Sequence, residues 1–409
     1  MSPSISMLDD IPASEKVRRS KLTGKQICCR VLICLSISCA VLCAAIAALI
    51  LIAWFSVGSV LWNIAFAVDI SYDCDEFRGN SPSNFTINYR CPPLLEPLSQ
   101  WPTRLAPFFV NSNNLEVVNF PSRTPDWVSG FGPANITATL MKQDIINSTS
   151  KFIITIHGYR VCRYRSESML PSTMLYHMGY NILQVDLRNH GDSGVYAPLP
   201  YVSFGNFEHL DILGAMDYIL ARYPFLNKTN SIGLFGTSMG GATALVSFSL
   251  EKNFKAAFVD SPPCDIVGSL QKAAEDIAGK AISGVAMNAI KSMVPVKAPA
   301  MGFPPFHYDP YELLTNVDLS GGRKIFFLHI EDDAIVPTVN HFICINATKI
   351  SIAKNQYSPN SIESYLGTIE FPYPITNRTR TYCNKHLSFQ FVHLDEFRTL
   401  LYNFFKTNL

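Results

Sequence analysis

Ile232-Gly233-Leu234-Phe235-Gly236-Thr237-Ser238-Met239-Gly240-Gly241-Ala242-Thr243-Ala244-Leu245 is the stretch on which the reading of this chain turns. A short apolar run of strand character ends at Phe235, and small residues with helical character begin at Gly241. Between them sits Gly-x-Ser-x-Gly. A serine on so sharp a strand-to-helix turn is lifted out of the sheet, and its neighbours must be small for the backbone to bend. The following helix presents its N-terminal N–H groups to negative charge developing beside the serine. The five-residue pattern is common by chance, but these flanks make an enzyme the leading expectation.

Further apolar runs lie at Phe152–Ile156, Ile182–Leu187, Ala256–Val259 and Ile325–Leu328. Helical patterns separate them, notably His209–Arg222, whose Leu210, Leu213, Met216 and Leu220 share a face. Strands alternating with helices predict a doubly wound, mostly parallel α/β sheet. Such sheets bind ligands at the carboxyl ends of their strands. The chemistry gathers there: His157-Gly158-Tyr159-Arg160, then Arg188-Asn189-His190-Gly191-Asp192-Ser193, then Ser238, then His329-Ile330-Glu331-Asp332-Asp333, with Lys385-His386 near the C-terminus.

The chain has 409 residues, 48% of them hydrophobic, and a formal net charge of +1, which gives no sign of a nucleic-acid partner. Residues 1–30 hold six basic and three acidic side chains, so this tail carries +3 and the remainder −2 of that +1. No Asp, Glu, Lys or Arg occurs from Val31 to Val68. The stretch exceeds the ~20 apolar residues of a membrane-spanning helix, and Trp54 and Trp62 are placed for its far interface. A cleaved signal peptide is the alternative, with Ala65-Phe66-Ala67 as its site. The basic flank predicts a cytosolic N-terminus and a luminal or extracellular remainder. Glycosylation sequons at Asn84, Asn135, Asn147, Asn227, Asn346 and Asn377 all follow the span. Of eleven cysteines, Cys28 and Cys29 flank the span as palmitoylation candidates. Six fall in the outer part, where proximity in sequence favours Cys74–Cys91 and Cys344–Cys383 as disulfides. The expected organisation is a basic tail (1–30), an anchor with an interfacial segment (31–68), a Pro- and Asn-rich stalk (69–108) and one large domain (109–409). No C-x-x-C or H-E-x-x-H spacing supports a metal site, and no cofactor is expected.

The order of the landmarks over roughly residues 110–409 resembles the α/β-hydrolase superfamily. His157-Gly158 resembles its oxyanion-loop HG, Asp186-x-Arg188-x-His190-Gly191-x-Ser193 its D-x-R-x-H-G-x-S segment, and Gly236–Gly240 its nucleophile elbow. His329-x-Glu331-x-Asp333-x-x-Val336-Pro337 resembles the segment that supplies the acid. With the N-terminal anchor and the sequons, the chain is similar to single-pass membrane-anchored hydrolases acting on lipids, the α/β-hydrolase-domain lipases. The chain departs from the pattern at Ile330, where a glycine is usual, in a long interval from Asp333 to His386, and in lacking a glycine before that histidine.

The resemblance implies a serine hydrolase with Ser238 as nucleophile, His386 as general base, Asp333 orienting the imidazole, and the backbone N–H groups of Tyr159 and Met239 as oxyanion donors. Glu331, Asp332 and the more distant Asp260 are alternative acids, and His393 is the rival base. His157, His190 and Arg188 read as shapers of their turns. Ile266 to Val294, Ala-rich and interrupted by Gly279 and Gly284, reads as the core of a helical cap over about 264–306, apolar enough to cover an acyl chain. A packing helix explains the same pattern. The favoured activity is cleavage of carboxylic esters, of lysophospholipids or acylglycerols; a serine aminopeptidase-like activity and a non-catalytic ectodomain are the alternatives.

Overall fold

The computed structural model describes residues 24–67, 74–87, 98–298, 307–370 and 385–409. Cys91, Asn377 and Cys383 lie outside them. The chain divides into two units, Met1–Ser56 and Val57–Leu409. Helix α1 (Gly24–Phe66) begins in the first. Its Leu35–Phe66 portion is long and apolar enough to cross a membrane. The part within the first unit, Leu35–Ser56, rises about 33 Å over about 22 residues, which matches a hydrocarbon core of about 30 Å. Leu35, Leu42, Leu49 and Ile52 are exposed, as are the other described aliphatic side chains around this part of the helix. A helix apolar on every side calls for apolar surroundings.

The second unit is built on an eight-stranded sheet. Its strands are β1 (Leu115–Pro121), β2 (Asn135–Met141), β3 (Phe152–Ile156), β4 (Asn181–Val185), β5 (Ile232–Thr237), β6 (Phe254–Asp260), β7 (Lys324–Ile330) and β8 (Ile362–Gly367). They lie in the order β1-β2-β4-β3-β5-β6-β7-β8. The β1–β2 and β2–β4 pairs are antiparallel and the rest parallel, as the strand–helix alternation predicts. With helices that include α2 (Trp101–Leu105), α3 (Ser166–His177), α4 (Glu208–Arg222), α5 (Met239–Leu250) and α8 (Pro310–Leu314), both faces are covered, which is why the central strands read as unbroken apolar runs. Successive side chains still go to opposite faces. Ile154, Ile156, Leu183 and Leu234 join one core cluster with Phe207, Leu210 and Leu245, while Ile153, Ile182, Phe235 and Phe258 join another with Met169, Phe397 and Phe405.

Three expectations change. The last turns of α1 belong to this second unit, and Trp62 and Phe66 are fully buried there, stacked at 4.4 Å. Trp62 therefore packs into protein rather than resting at a lipid interface. Residues 69–108, expected as a stalk, contribute Phe77, Phe85, Trp101, Leu105 and Phe108 to the buried interior. These five apolar residues of a Pro-rich segment pack into the protein. Among the described residues the disulfides are Cys74–Cys162 and Cys264–Cys344, so Cys74 and Cys344 do not pair with Cys91 and Cys383 as expected. Sequence proximity misleads because loop-closure entropy grows only logarithmically with length, so separations of 88 and 80 residues carry little extra penalty.

Between β6 and β7 the chain forms α6 (Ile266–Ala278) and α7 (Lys280–Lys297), broken at Gly279, where φ is +80°. Met287, Ile290, Met293 and Val294 of α7 are buried in the cluster that holds Trp62 and Phe66, while Ile282, Val285 and Val296 stay exposed. Helix α7 is thus packed on one face.

Candidate active site

Ser238 follows β5 and immediately precedes α5 (Met239–Leu250), with φ +54° and ψ −123°. A side chain rarely adopts this region, and it persists only where the surroundings impose it. Here they are backbone. A Cβ at Gly236 would lie 2.3 Å from Gly240 O, and one at Gly240 would lie 2.3 Å from His157 O. The glycines are therefore steric requirements of the turn. Ser238 N–H donates to Asp260 O at 2.8 Å, which ties the serine to the end of β6. A Cβ at Gly158 would come within 3.4 Å of Ser238 Cβ, so the loop after β3 lies directly against the serine.

Asp333 follows β7. Its Oδ1 accepts N–H bonds from Ile335 and Val336, each at 2.9 Å, and its Oδ2 lies 2.7 Å from His386 Nδ1. The carboxylate is buried and fixed on both oxygens. Burial alone would push the His386 pKa down, but the Asp333 charge and hydrogen bond outweigh it and hold the imidazole above its ordinary value. The Asp260 charge acts in the same direction. The neighbouring ends of β5, β6 and β7 thus assemble Ser238, Asp260 and the Asp333–His386 pair. Backbone strain gathers there too: Ser261, Asp332, Lys385 and Leu387 have φ of +52° to +58°.

The rivals are set otherwise. Glu331 is exposed, and Asp332 is exposed and pairs with Lys385 at 3.3 Å. Asp260 is fully buried, and burial pushes its carboxyl up to about 7. His393 lies between α10 (Phe389–Val392) and α11 (Leu394–Asn408), with Nε2 3.1 Å from Thr368 O. The long interval from Asp333 to His386 accommodates α9 (Val339–Asn355) and β8.

The loop after β3 is held from several sides. His157 is buried; its Nε2 accepts from Leu187 N–H at 3.1 Å, so Nδ1 carries the proton toward Gly158 O at 2.8 Å. Burial pushes its pKa down to about 4, and the ring stays neutral. Arg163 bonds to Asp186, Asp192 and Thr139, and Cys162 is in the disulfide to Cys74. Arg188 clasps Asp211 at 2.7 and 2.9 Å, and His190 Nδ1 lies 2.8 Å from Arg188 O. These side chains shape turns. Met239 is the first residue of α5, and Tyr159 stacks on Phe204 at 5.3 Å. The engagement of Arg160, whose guanidinium reaches the carbonyls of residues 63, 64 and 67, is not legible in the sequence. No local pattern signals a contact across more than ninety positions.

Among the described residues, no group of three or more His, Cys, Asp or Glu is arranged to hold a metal ion. Asn84, Asn135, Asn147, Asn227 and Asn346 are all exposed.

No protein-family model matches the sequence, and no curated protein sequence matches it. Solved structures do resemble it. An esterase of Pyrococcus furiosus aligns over 74% of this chain and 94% of its own, at 19% identity and a TM-score of 0.51. An acylaminoacyl peptidase of Pyrococcus horikoshii aligns over 72% and 42% at 16% identity, with a TM-score of 0.47. Est1E of Butyrivibrio proteoclasticus, solved with ferulic acid bound, aligns over 67% and 95% at 15% identity, with a TM-score of 0.43. The strand order, the elbow after β5 and the likeness to the Pyrococcus furiosus esterase together give the chain the α/β-hydrolase fold.

Proposed function

We propose that this chain is a membrane-anchored serine hydrolase that cleaves carboxylic esters of lipids, such as lysophospholipids or acylglycerols, through an acyl-enzyme on Ser238. The observation that carries the reading is the strained Ser238 elbow at the same strand ends as the 2.7 Å Asp333–His386 pair. The His386 imidazole takes the Ser238 hydroxyl proton as the oxygen attacks the carbonyl carbon, and Asp333 stabilises the resulting imidazolium. The backbone N–H groups of Met239 and Tyr159 receive the oxyanion. Collapse breaks the ester C–O bond, and His386 returns the proton to the departing alcohol. Water, deprotonated by the same imidazole, then releases the carboxylic acid and restores Ser238.

Support for a lipid substrate comes from α1. Its apolar first part suits a bilayer, and Tyr159 of the loop beside Ser238 hydrogen-bonds Ala65 O near its end. The basic tail before the helix supports a cytosolic N-terminus, and the two disulfides and exposed sequons support an oxidising, luminal or extracellular body.

The test is turnover by the purified full chain in detergent micelles of a lysophospholipid, a monoacylglycerol, a p-nitrophenyl ester and an aminoacyl amide. Fatty-acid release by the wild type and none by Ser238→Ala is expected. Amide turnover without ester turnover, or undiminished ester turnover by Ser238→Ala, overturns the reading.

A further inference from the structure

The C-terminal end of α1 meets the body in an unusual way. The last carbonyls of a helix have no partners within it and carry the negative end of its dipole. Here most of them go to the loop beside the nucleophile. Arg160 Nη2 lies 2.6 Å from Ile64 O, 3.0 Å from Ala67 O and 3.3 Å from Asn63 O. Tyr159 Oη donates to Ala65 O at 2.6 Å, and Val202 N–H donates to Phe66 O at 2.9 Å. Arg160 itself sits at φ +53°, a conformation that needs external support. A chain of rings runs the same way: Trp62 on Phe66, Phe66 edge-on to Phe204, and Phe204 stacked on Tyr159.

The insertion between β6 and β7 rests on the same turns. A Cβ at Gly58 would lie 2.8 Å from Ala289 O of α7, and Lys297 Nζ reaches Asn63 Oδ1 at 2.9 Å. Both the oxyanion loop and the insertion therefore lean on residues 58–67.

We infer that the last turns of the anchor helix are a positioning element of the active site: Arg160 and the Tyr159 hydroxyl, bound to the helix's terminal carbonyls, hold the Tyr159 backbone N–H where an oxyanion develops. This rests on the reading of Ser238 as nucleophile and Tyr159 N–H as donor. Loss of the grip lets the 159–160 backbone relax from its strained state, so the transition state loses a donor while substrate binding and the elbow persist. A further consequence is that the body is not catalytically autonomous. Cleavage after Ala67 would remove the carbonyls that Arg160 and Tyr159 hold, along with the buried Trp62 and Phe66.

The experiment uses the full chain in detergent micelles, with Arg160→Ala, Arg160→Lys, Tyr159→Phe and Gly58→Leu, and with Leu49→Ala on the exposed part of α1 as control. The readouts are kcat and KM on a p-nitrophenyl ester, the end-point fraction labelled by a fluorophosphonate, and the melting temperature. Arg160→Ala is expected to lower kcat about ten-fold or more, toward the hundred-fold scale of a lost oxyanion donor. KM and the end-point labelled fraction should stay near wild type, Arg160→Lys should fall between, and Leu49→Ala should match wild type. Tyr159→Phe and Gly58→Leu should lower kcat in the same pattern. Unchanged kcat per labelled site in Arg160→Ala and Tyr159→Phe overturns the inference, as does a loss explained wholly by fewer folded molecules. If Arg160→Ala does not fold, Tyr159→Phe decides alone. Wild-type protein that fails to label at Ser238 defeats the underlying reading instead.

Discussion

The two sides of the site are held in opposite ways. The nucleophile elbow is fixed by close backbone approaches that its own glycines permit: a Cβ at Gly236 would meet Gly240 O, and one at Gly240 would meet His157 O. The facing loop, residues 157–163, is fixed almost wholly from outside. It is bonded to the end of α1 through Tyr159 and Arg160, to residue 74 through Cys162, and to Asp186 through Arg163. Local constraint makes a motif that can be read from five residues. Distributed constraint makes a loop whose position depends on contacts up to 97 residues away.

Substitutions on either side of the site test this contrast. The largest effect is expected on the base. Asp333→Asn keeps an oxygen for the Ile335 and Val336 N–H groups but cannot accept from His386 in the required tautomer. Its kcat should fall by about 10⁴-fold, as for analogous triad changes. Steady-state kinetics beside a thermal melt would check this; a loss below about ten-fold would move the acid elsewhere. Asp260→Asn is the companion, and near-normal turnover there would leave Asp333 as the acid.

Next is Gly240→Ala, which puts a methyl group on the His157 and Ile156 carbonyls at 2.3 and 2.4 Å. Backbone cannot yield cheaply, so a destabilisation of about 1–3 kcal/mol is expected, together with slowed labelling of Ser238. Denaturant melts and the rate of fluorophosphonate reaction would measure both. Normal values for both would mean that the elbow is less tightly imposed than the contact distances indicate.

The disulfides separate the two sides further. Removing Cys74–Cys162 or Cys264–Cys344 by paired Cys→Ser changes should each lower stability by roughly 2–5 kcal/mol. Only the first touches the loop after β3, so only it should also lower kcat per labelled site. Peptide mapping under non-reducing conditions would establish the pairings, and equal kinetic effects of the two removals would argue against the distributed-constraint account.

The smallest effect is in the pH profile. Only neutral His386 can act as a base, and its pKa is held up by Asp333, so the acid limb of kcat/KM should lie above the ordinary imidazole value of about 6.5. Asp260→Asn should move that limb slightly down. In linkage terms, protonated His386 stabilises the fold fully below its unfolded pKa, and the contribution is lost as pH rises through the folded value. Asp260 acts with the opposite charge but the same slope. Its carboxyl, raised to about 7 by burial, favours folding at low pH and loses that advantage as the pH climbs from about 4 to 7. A stability curve that flattens over this window in Asp260→Asn would bear this out; an unchanged curve would not.

The sheet and the strand-end chemistry were legible because they follow from local pattern: apolar runs of strand length, amphipathic intervals, and reactive residues just beyond each run. Ser238 and Asp333 stand out as candidates for that reason. His386 was less so, because α9, β8 and the segment up to Lys385 intervene between it and its partner. The cysteine pairing was misread because nothing in the local sequence brings Cys74 to Cys162. Trp62 was misread because an apolar helix end that enters a protein core has the same composition as one that stays in lipid. The role of residues 69–108 was obscured likewise, since a few buried aromatics decide whether a polar, proline-rich segment docks.

Everything proposed for this site depends on Ser238 being an activated nucleophile. The most direct measurement is reaction of the full wild-type chain with a fluorophosphonate, followed by peptide mapping of the adduct. One adduct per chain on Ser238, absent from both Ser238→Ala and His386→Ala at matched times, is the expected result. An adduct on another residue, or folded protein that takes none, would contradict the account.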